Sequence, residues 1–270
     1  MKSIITPVLE DISNTYLKDQ LLRNFGNAED DFRTIEDTFR LLTSSAHDPE
    51  KLNVFFHSWS MTNNSAMTVA GLSNRLTMLV HKNRPVQDEA LLLRSITSLN
   101  RIVDEDLGVV GGVLHKDIYY KMATHFCKGD EWMQMRYLTP EAREFKSWKD
   151  RNSLKEMDLV TGLLTTVVHE IYTHGEVEYI LPLFEQWLET QEGITGRDAQ
   201  VILAWIIVHT GPTEKNHFYH AIHAVEQYTQ SMGIRLEDYD LQEIIRNYMQ
   251  RKAATMASIA AVLQPNYELN

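Results

Sequence analysis

Apolar residues recur at three- and four-residue spacing along almost the whole of this chain, and no run alternates with the two-residue period of a half-buried strand. A helix must bury its apolar stripe against another element, so a chain that offers only helical stripes is confined to an all-α bundle. The pattern predicts a first helix after Thr6-Pro7, with Pro7 at its first position and Leu9, Ile12, Tyr16 and Leu21 near one face. A second starts near Asn27-Ala28 and carries Phe32, Ile35, Phe39 and Leu42; a third starts at Asp48-Pro49. Helical pattern then runs from Ala66 to Val80, Pro85 breaks the chain, and Val86 to Leu107 forms a long helix closed by Gly108 and Gly111-Gly112. Further helices are expected over Leu114–Phe126, from Thr139-Pro140, and over Leu154–His174, Glu176–Thr190, Arg197–Val208, Thr213–Met232 and Leu236–Leu263.

No Pro-, Gly- or Ser-rich linker, low-complexity tract or internal repeat divides the 270 residues. They read as a single helical domain: a core over about 60–235, an N-terminal helical addition over 1–55 and a C-terminal helix over 236–263. The formal net charge of −11, with Lys and Arg scattered, argues against nucleic acid, which is bound through clustered basic side chains. The longest apolar runs, such as Val201–Val208, fall far short of the roughly 20 residues that span a bilayer, so no membrane role is expected. The N-terminus lacks the apolar run of a signal peptide, and the one cysteine, Cys127, allows no intramolecular disulfide. Both fit a reducing cytoplasm.

Three polar interruptions of these apolar helices carry the chemistry. Asp104-Glu105-Asp106 ends a helix, where the dipole is already negative and a cation would relieve the repulsion. After it, Gly111 and Gly112 would let the backbone return His115 toward Glu105. In the second, Glu170, His174 and Glu178 recur every four residues among apolar neighbours, as either an exposed face or a lined cavity. Gly175, between them, favours a bend or a close backbone approach. The third is His209-Thr210-Gly211-Pro212-Thr213-Glu214-Lys215-Asn216-His217. On a helical wheel Glu214 and His217 lie beside the buried side set by Phe218, Ala221, Ile222 and Val225, while His220 and His223 lie mostly opposite, as surface or supporting residues. His209 would align with Glu214 through a one-residue bulge at Gly211-Pro212; otherwise one helix ends there and another begins.

In order and rough spacing these three pieces resemble the haem-oxygenase-like diiron oxidase and oxygenase superfamily, over roughly residues 60–235. Asn100 to His115 looks like that family's first ligand segment, Glu178-Tyr179-Ile180-Leu181-Pro182 like its Glu-x3-Pro segment, and His209 to His217 like its final run with one extra residue. The resemblance implies a haem-oxygenase-like bundle with metal ligands Glu105 (or Asp106), His115, Glu178, His209, Glu214 and His217. It also implies two iron ions, O2 as co-substrate and oxidation of a small molecule in natural-product biosynthesis, amino-acid-derived or fatty-acid-like, with an external electron donor as a further expectation; a homodimer is expected only as the common default among oligomers. Three carboxylates and three imidazoles suit iron or manganese better than a thiolate-rich zinc site. Rival readings are a metal-free thiaminase-II-like enzyme, for which Cys127 would be the nucleophile, and a helical interaction protein whose histidines are structural. A ferritin-like site would need paired Glu-x2-His motifs, and only Glu214-x2-His217 has that form.

Overall fold

One long helix organises the molecule. In a computed structural model describing residues 1–63, 65–81 and 86–265, the chain forms α1 (Lys2–Glu10), α2 (Thr15–Gly26), α3 (Glu29–Thr43), α4 (Pro49–Asn63), α5 (Ala66–His81) and α6 (Glu89–Asp106). It continues through α7 (His115–Cys127), α8 (Pro140–Asp150), α9 (Leu159–Glu192), α10 (Gly196–Ile202), α11 (Ala204–His209), α12 (Pro212–Met232) and α13 (Leu241–Leu263). The described residues contain no β-strand, as the single 3.6-residue period requires. Among them no helix is long and apolar enough to cross a membrane. Pro85 lies outside the described residues.

The central helix, α9, starts where the Asp158 carboxylate accepts the backbone N–H groups of Val160 and Thr161, and stops at Gly193, whose φ of 68° is left-handed. Between Leu159 and Val177 all residues but Thr161 are buried, so this helix is apolar on every side and must be enclosed. Helices α1, α3, α5, α11, α12 and α13 pack around it. One apolar cluster extends from Met1 to Leu263, and residues of α1, α2 and α3 belong to it as fully as those of the middle of the chain.

Several expected boundaries differ: the helix expected over Arg197–Val208 is divided into α10 and α11, and α9 and α13 begin at Leu159 and Leu241, not at Leu154 and Leu236. The break predicted at Gly175 is absent: α9 runs through it for 34 residues. Glycine costs a helix interior only about 1 kcal/mol, which enclosure on all sides outweighs. Its lack of a side chain serves packing, because a Cβ at Gly175 would lie 2.6 Å from Ile5 Cγ2, so α1 can cross there only over glycine. The single helix expected from Pro7 is split instead: Pro7 lies inside α1, and α2 restarts at Asn14, whose side chain accepts the Leu17 N–H at 3.0 Å.

A polar network ties α4, α9 and α13 within this core. The Glu176 carboxylate accepts hydrogen bonds from Trp59 Nε1 at 2.9 Å and Tyr172 OH at 2.6 Å, and pairs with Lys252 Nζ at 2.9 Å. Lys252 also donates to Thr62 Oγ1 at 2.7 Å. Every charge in this network is matched, as burial demands.

Candidate metal centre

Five helices deliver acids and imidazoles to one end of the α9 core. The last residues of α6 supply Glu105 and Asp106, the first residue of α7 is His115, and α9 supplies Glu170. The end of α11 supplies His209, and the first turns of α12 supply Glu214 and His217. The loop between α6 and α7 is tight because Gly108 (φ +70°) faces the backbone of Val113, where a Cβ would stand 2.6 Å from the carbonyl carbon. That closure places His115 Nδ1 3.1 Å from Asp106 Oδ1.

The side chains form two adjoining groups whose ligand-type atoms lie within 4.8 Å of one another: Asp106, His115 and His209, then Glu170, Glu214 and His217. All six are buried. Glu214 joins the groups, with Oε1 3.7 Å from His209 Nε2 and 3.6 Å from His217 Nδ1. The imidazoles are oriented from behind. His209 Nδ1–H donates to the Trp205 carbonyl at 2.6 Å, which leaves the Nε2 lone pair toward Glu214. His217 Nε2–H donates to Glu105 Oε2 at 2.9 Å, and Nδ1 faces Glu214 and, at 3.8 Å, Glu170 Oε2.

Electrostatics at this end are unbalanced. Burial pushes the Glu170 carboxyl well above its ordinary range, and the nearby Glu214 carboxylate pushes it further. Burial opposes a charged His217, but the carboxylates of Glu214, Glu105 and Glu170 outweigh it and raise this imidazole to about 12. Burial also opposes an ionised Asp106, yet the hydrogen bond with His115 and the charge on His217 hold its carboxyl below the usual range. His209 is driven down by burial against the pull of Glu214, which leaves a neutral ring. Glu170 Oε1, Glu214 Oε2 and His217 Nδ1 are buried with no hydrogen-bond partner among the described residues. Buried polar atoms are rarely left so, and a cation held among these three residues would satisfy such donors.

No protein-family model matches the chain, and no curated protein matches it. The assignment of chemistry therefore rests on geometry.

Of the residues singled out from the sequence, His115, His209, Glu214 and His217 fall in the two groups. Glu105 does not; its neighbour Asp106 points inward, while the Glu105 side chain stays 32% exposed and backs His217. Glu178 is in neither group: its Oε1 accepts the Gly211 N–H at 2.6 Å and anchors the break between α11 and α12. Glu170, two helical turns earlier on the same polar stripe, stands in the second group instead. The signal was its setting, a carboxylate inside the buried stretch Leu159–Val177, where no exposed face is available. His220 is half-buried, His223 is exposed, and neither joins a group. The expected bulge is not formed either. Helix α11 ends at His209, Gly211 takes φ +67°, and Pro212 opens α12. A full break turns His209 back toward Glu214 without a π insertion.

A cavity of about 640 Å³ opens beside the first group, within the range of small-molecule sites. Asp106, His115, His209 and Glu214 form part of its wall, and Tyr119, Tyr120 and Trp205 also line it. Tyr172 does not; its hydroxyl belongs to the Glu176 network.

Because Glu105 fixes His217, Glu105→Gln is expected to weaken metal binding at this site about 10- to 100-fold while leaving the candidate ligand atoms in place. Competition titration against a chromophoric chelator checks this, and an unchanged affinity would remove Glu105 from the centre. A further expectation concerns protons. The His217–Glu170–Glu214 cluster holds a proton at neutral pH that a metal ion must displace. Metal uptake should therefore release protons, and affinity should rise with pH between 6 and 8. Calorimetry in buffers of different ionisation enthalpy reads the number released; zero would contradict the assignment.

Proposed function

We propose that this chain is an O2-activating, non-haem diiron oxidase or oxygenase of haem-oxygenase-like architecture that acts on a small organic molecule. The observation that carries the reading is the pair of buried acid–imidazole groups joined through one oxygen of Glu214 beside a cavity. Asp106, His115 and His209 would hold one iron and Glu170 and His217 the other, with Glu214 reaching both. The first and third segments that the sequence resembles contribute residues to these groups in that order; the second, Glu178–Pro182, does not, and Glu170 stands in its place. Nitrogen and oxygen donors without a thiolate suit iron. Bound as ferrous ions, the pair would supply the electrons that reduce O2 and so the oxidising power for attack on a C–H or amine group. The protein's own part is to hold the imidazoles by their outer nitrogens, keep bulk water from the six buried ligands and place the substrate in the cavity.

Substrates of the proposed type are amino-acid-derived or fatty-acid-like molecules of natural-product biosynthesis, processed by N-oxygenation, desaturation or oxidative C–C cleavage. A cytoplasmic location, an external electron donor and a homodimeric state complete the proposal. The thiaminase-like alternative finds little support: burial pushes the Cys127 thiol up to about 12, so it holds its proton at neutral pH.

Anaerobic titration with Fe(II), read by metal analysis and by visible absorbance after O2 is admitted, tests the proposal. The expected stoichiometry is about two irons per chain with an O2-dependent absorbance change. Protein that stays colourless and retains no iron would rule the proposal out.

A further inference from the structure

A file of indole and phenol rings runs from the metal groups to the surface. The His209 imidazole lies against the Trp205 indole, with ring centroids 4.6 Å apart, and its Nδ1–H donates to the Trp205 carbonyl at 2.6 Å. Trp205 meets Tyr119 at 5.0 Å, Tyr119 meets Trp132 at 5.9 Å, and Trp132 meets Tyr120 at 6.1 Å. Trp205, Tyr119 and Trp132 are buried, whereas Tyr120 is 37% exposed. All four line the cavity, and no phenylalanine interrupts the series. Trp59 touches both Trp205 and Tyr119, at 5.2 and 5.6 Å, so that branch rejoins the same path.

Indole and phenol lose an electron more readily than the other side-chain rings, and electron tunnelling weakens exponentially with distance. Rings in contact therefore pass an electron vacancy in short steps where one long jump would be slow. Proton chemistry sets the direction. Tyr119 gives its O–H to the Phe56 carbonyl at 2.7 Å, and Trp132 gives its Nε1–H to the Thr124 hydroxyl at 3.2 Å. Neither acceptor is a base that keeps a proton, so an electron lost from either ring leaves a buried, unpaired positive charge. Tyr120 meets water, which takes the phenolic proton as the electron leaves. A neutral radical forms there without that cost.

Resting on the diiron reading, we propose that Trp205, Tyr119, Trp132 and Tyr120 form a discharge path that carries unused oxidising equivalents from the centre to the protein surface. When O2 has reacted and no substrate is present, Trp205 gives up one electron toward the centre, which takes one proton from water. Trp132 refills Trp205 through Tyr119. Tyr120 then refills Trp132 and loses one electron and its phenolic proton to water. A low-molecular-weight thiol at the surface restores Tyr120 by giving it a hydrogen atom. Two passages deliver two electrons inward and leave two thiols joined as one disulfide.

Tyr120→Phe and Trp132→Phe keep an aromatic ring in place and remove the oxidisable group, and thermal unfolding of both checks that the fold persists. In metal-free protein, azide radicals made by pulse radiolysis oxidise indoles first, and the vacancy then moves to tyrosine. That transfer, followed as indole-radical absorbance decays and tyrosine-radical absorbance grows, should lose its fastest phase in both variants. Iron-loaded wild type given O2 without substrate should show a tyrosine-radical resonance in freeze-quenched samples, and Y120F should lack it. Peptide mass spectrometry should find oxygen added to Trp205 severalfold more often in W132F than in wild type. Transfer rates unchanged in both variants, or equal Trp205 damage in W132F and wild type, would each overturn the proposal. Iron uptake measured in parallel separates the two readings. Iron bound with transfer and damage independent of these rings sinks the path alone, whereas Tyr120-dependent transfer in a protein that takes up no iron sinks the diiron proposal and keeps only the ring-to-ring transfer.

Discussion

Glu214→Ala should leave a folded protein that no longer takes up the iron of the proposed centre. One oxygen of Glu214 is within 3.7 Å of a ring nitrogen in each metal group, so its removal takes a donor from both at once. Iron content is expected to fall from about two per chain to well below one, with the residual affinity reduced at least a hundredfold, since an inner ligand should matter more than a supporting residue. Stability of the metal-free protein should fall in part, because Glu214 is the leading counter-charge to the buried His217 imidazolium, although its removal also lifts the repulsion it exerts on Glu170. Glu178→Ala is the informative contrast. Glu178 holds the Gly211 N–H and no metal-group atom, so that variant should retain iron while loosening the turn between α11 and α12. Metal analysis with circular-dichroism melts of both variants decides the matter. Iron lost from E178A and kept by E214A would transfer the ligand role to Glu178.

Lys252→Met should destabilise the protein by about 3–5 kcal/mol, the usual consequence of stranding one partner of a buried ion pair. Lys252 and Glu176 are both fully buried, and the ammonium is the only cation against that carboxylate among the described residues. Without it Glu176 keeps the Trp59 and Tyr172 donors but carries an unbalanced charge in an apolar core. Adding Glu176→Gln to Lys252→Met should recover most of the loss, because the charge then disappears with its partner. Urea unfolding of the two single variants and the double variant measures the coupling. A loss below about 1 kcal/mol in K252M would mean that the network contributes little to holding α4 and α13 on α9.

Both expectations rest on side chains whose roles were unequally legible in the sequence. His217 and Glu214 could be placed because Phe218, Ala221, Ile222 and Val225 mark the buried side of α12 unambiguously. The same wheel argument could not choose between Glu105 and Asp106. Adjacent residues at a helix end differ by about 100° in direction, and the rotation of α6 is set by its packing against α5 and α12, not by its own pattern. Glu170 and Glu178 posed the same difficulty along an axis instead of around it. They share a stripe, so direction cannot separate them; position along α9 does, since Glu170 lies level with α12's first turns and Glu178 reaches the loop before them. The network of Glu176, Lys252, Trp59 and Tyr172 left no trace in local pattern, because its members come from three helices far apart in the chain.

By itself the sequence determined the local physics: that the chain is helical, where most of the helices lie, and that acids and imidazoles gather at three places along them. Each of those properties depends on neighbours within a turn or two. Only the tertiary structure decided that α9 is enclosed, which carboxylate of each candidate pair faces inward, and that a complete break at Gly211 turns His209 toward Glu214. Those outcomes depend on the rotation and axial position of whole helices, which are fixed by contacts between residues remote in sequence.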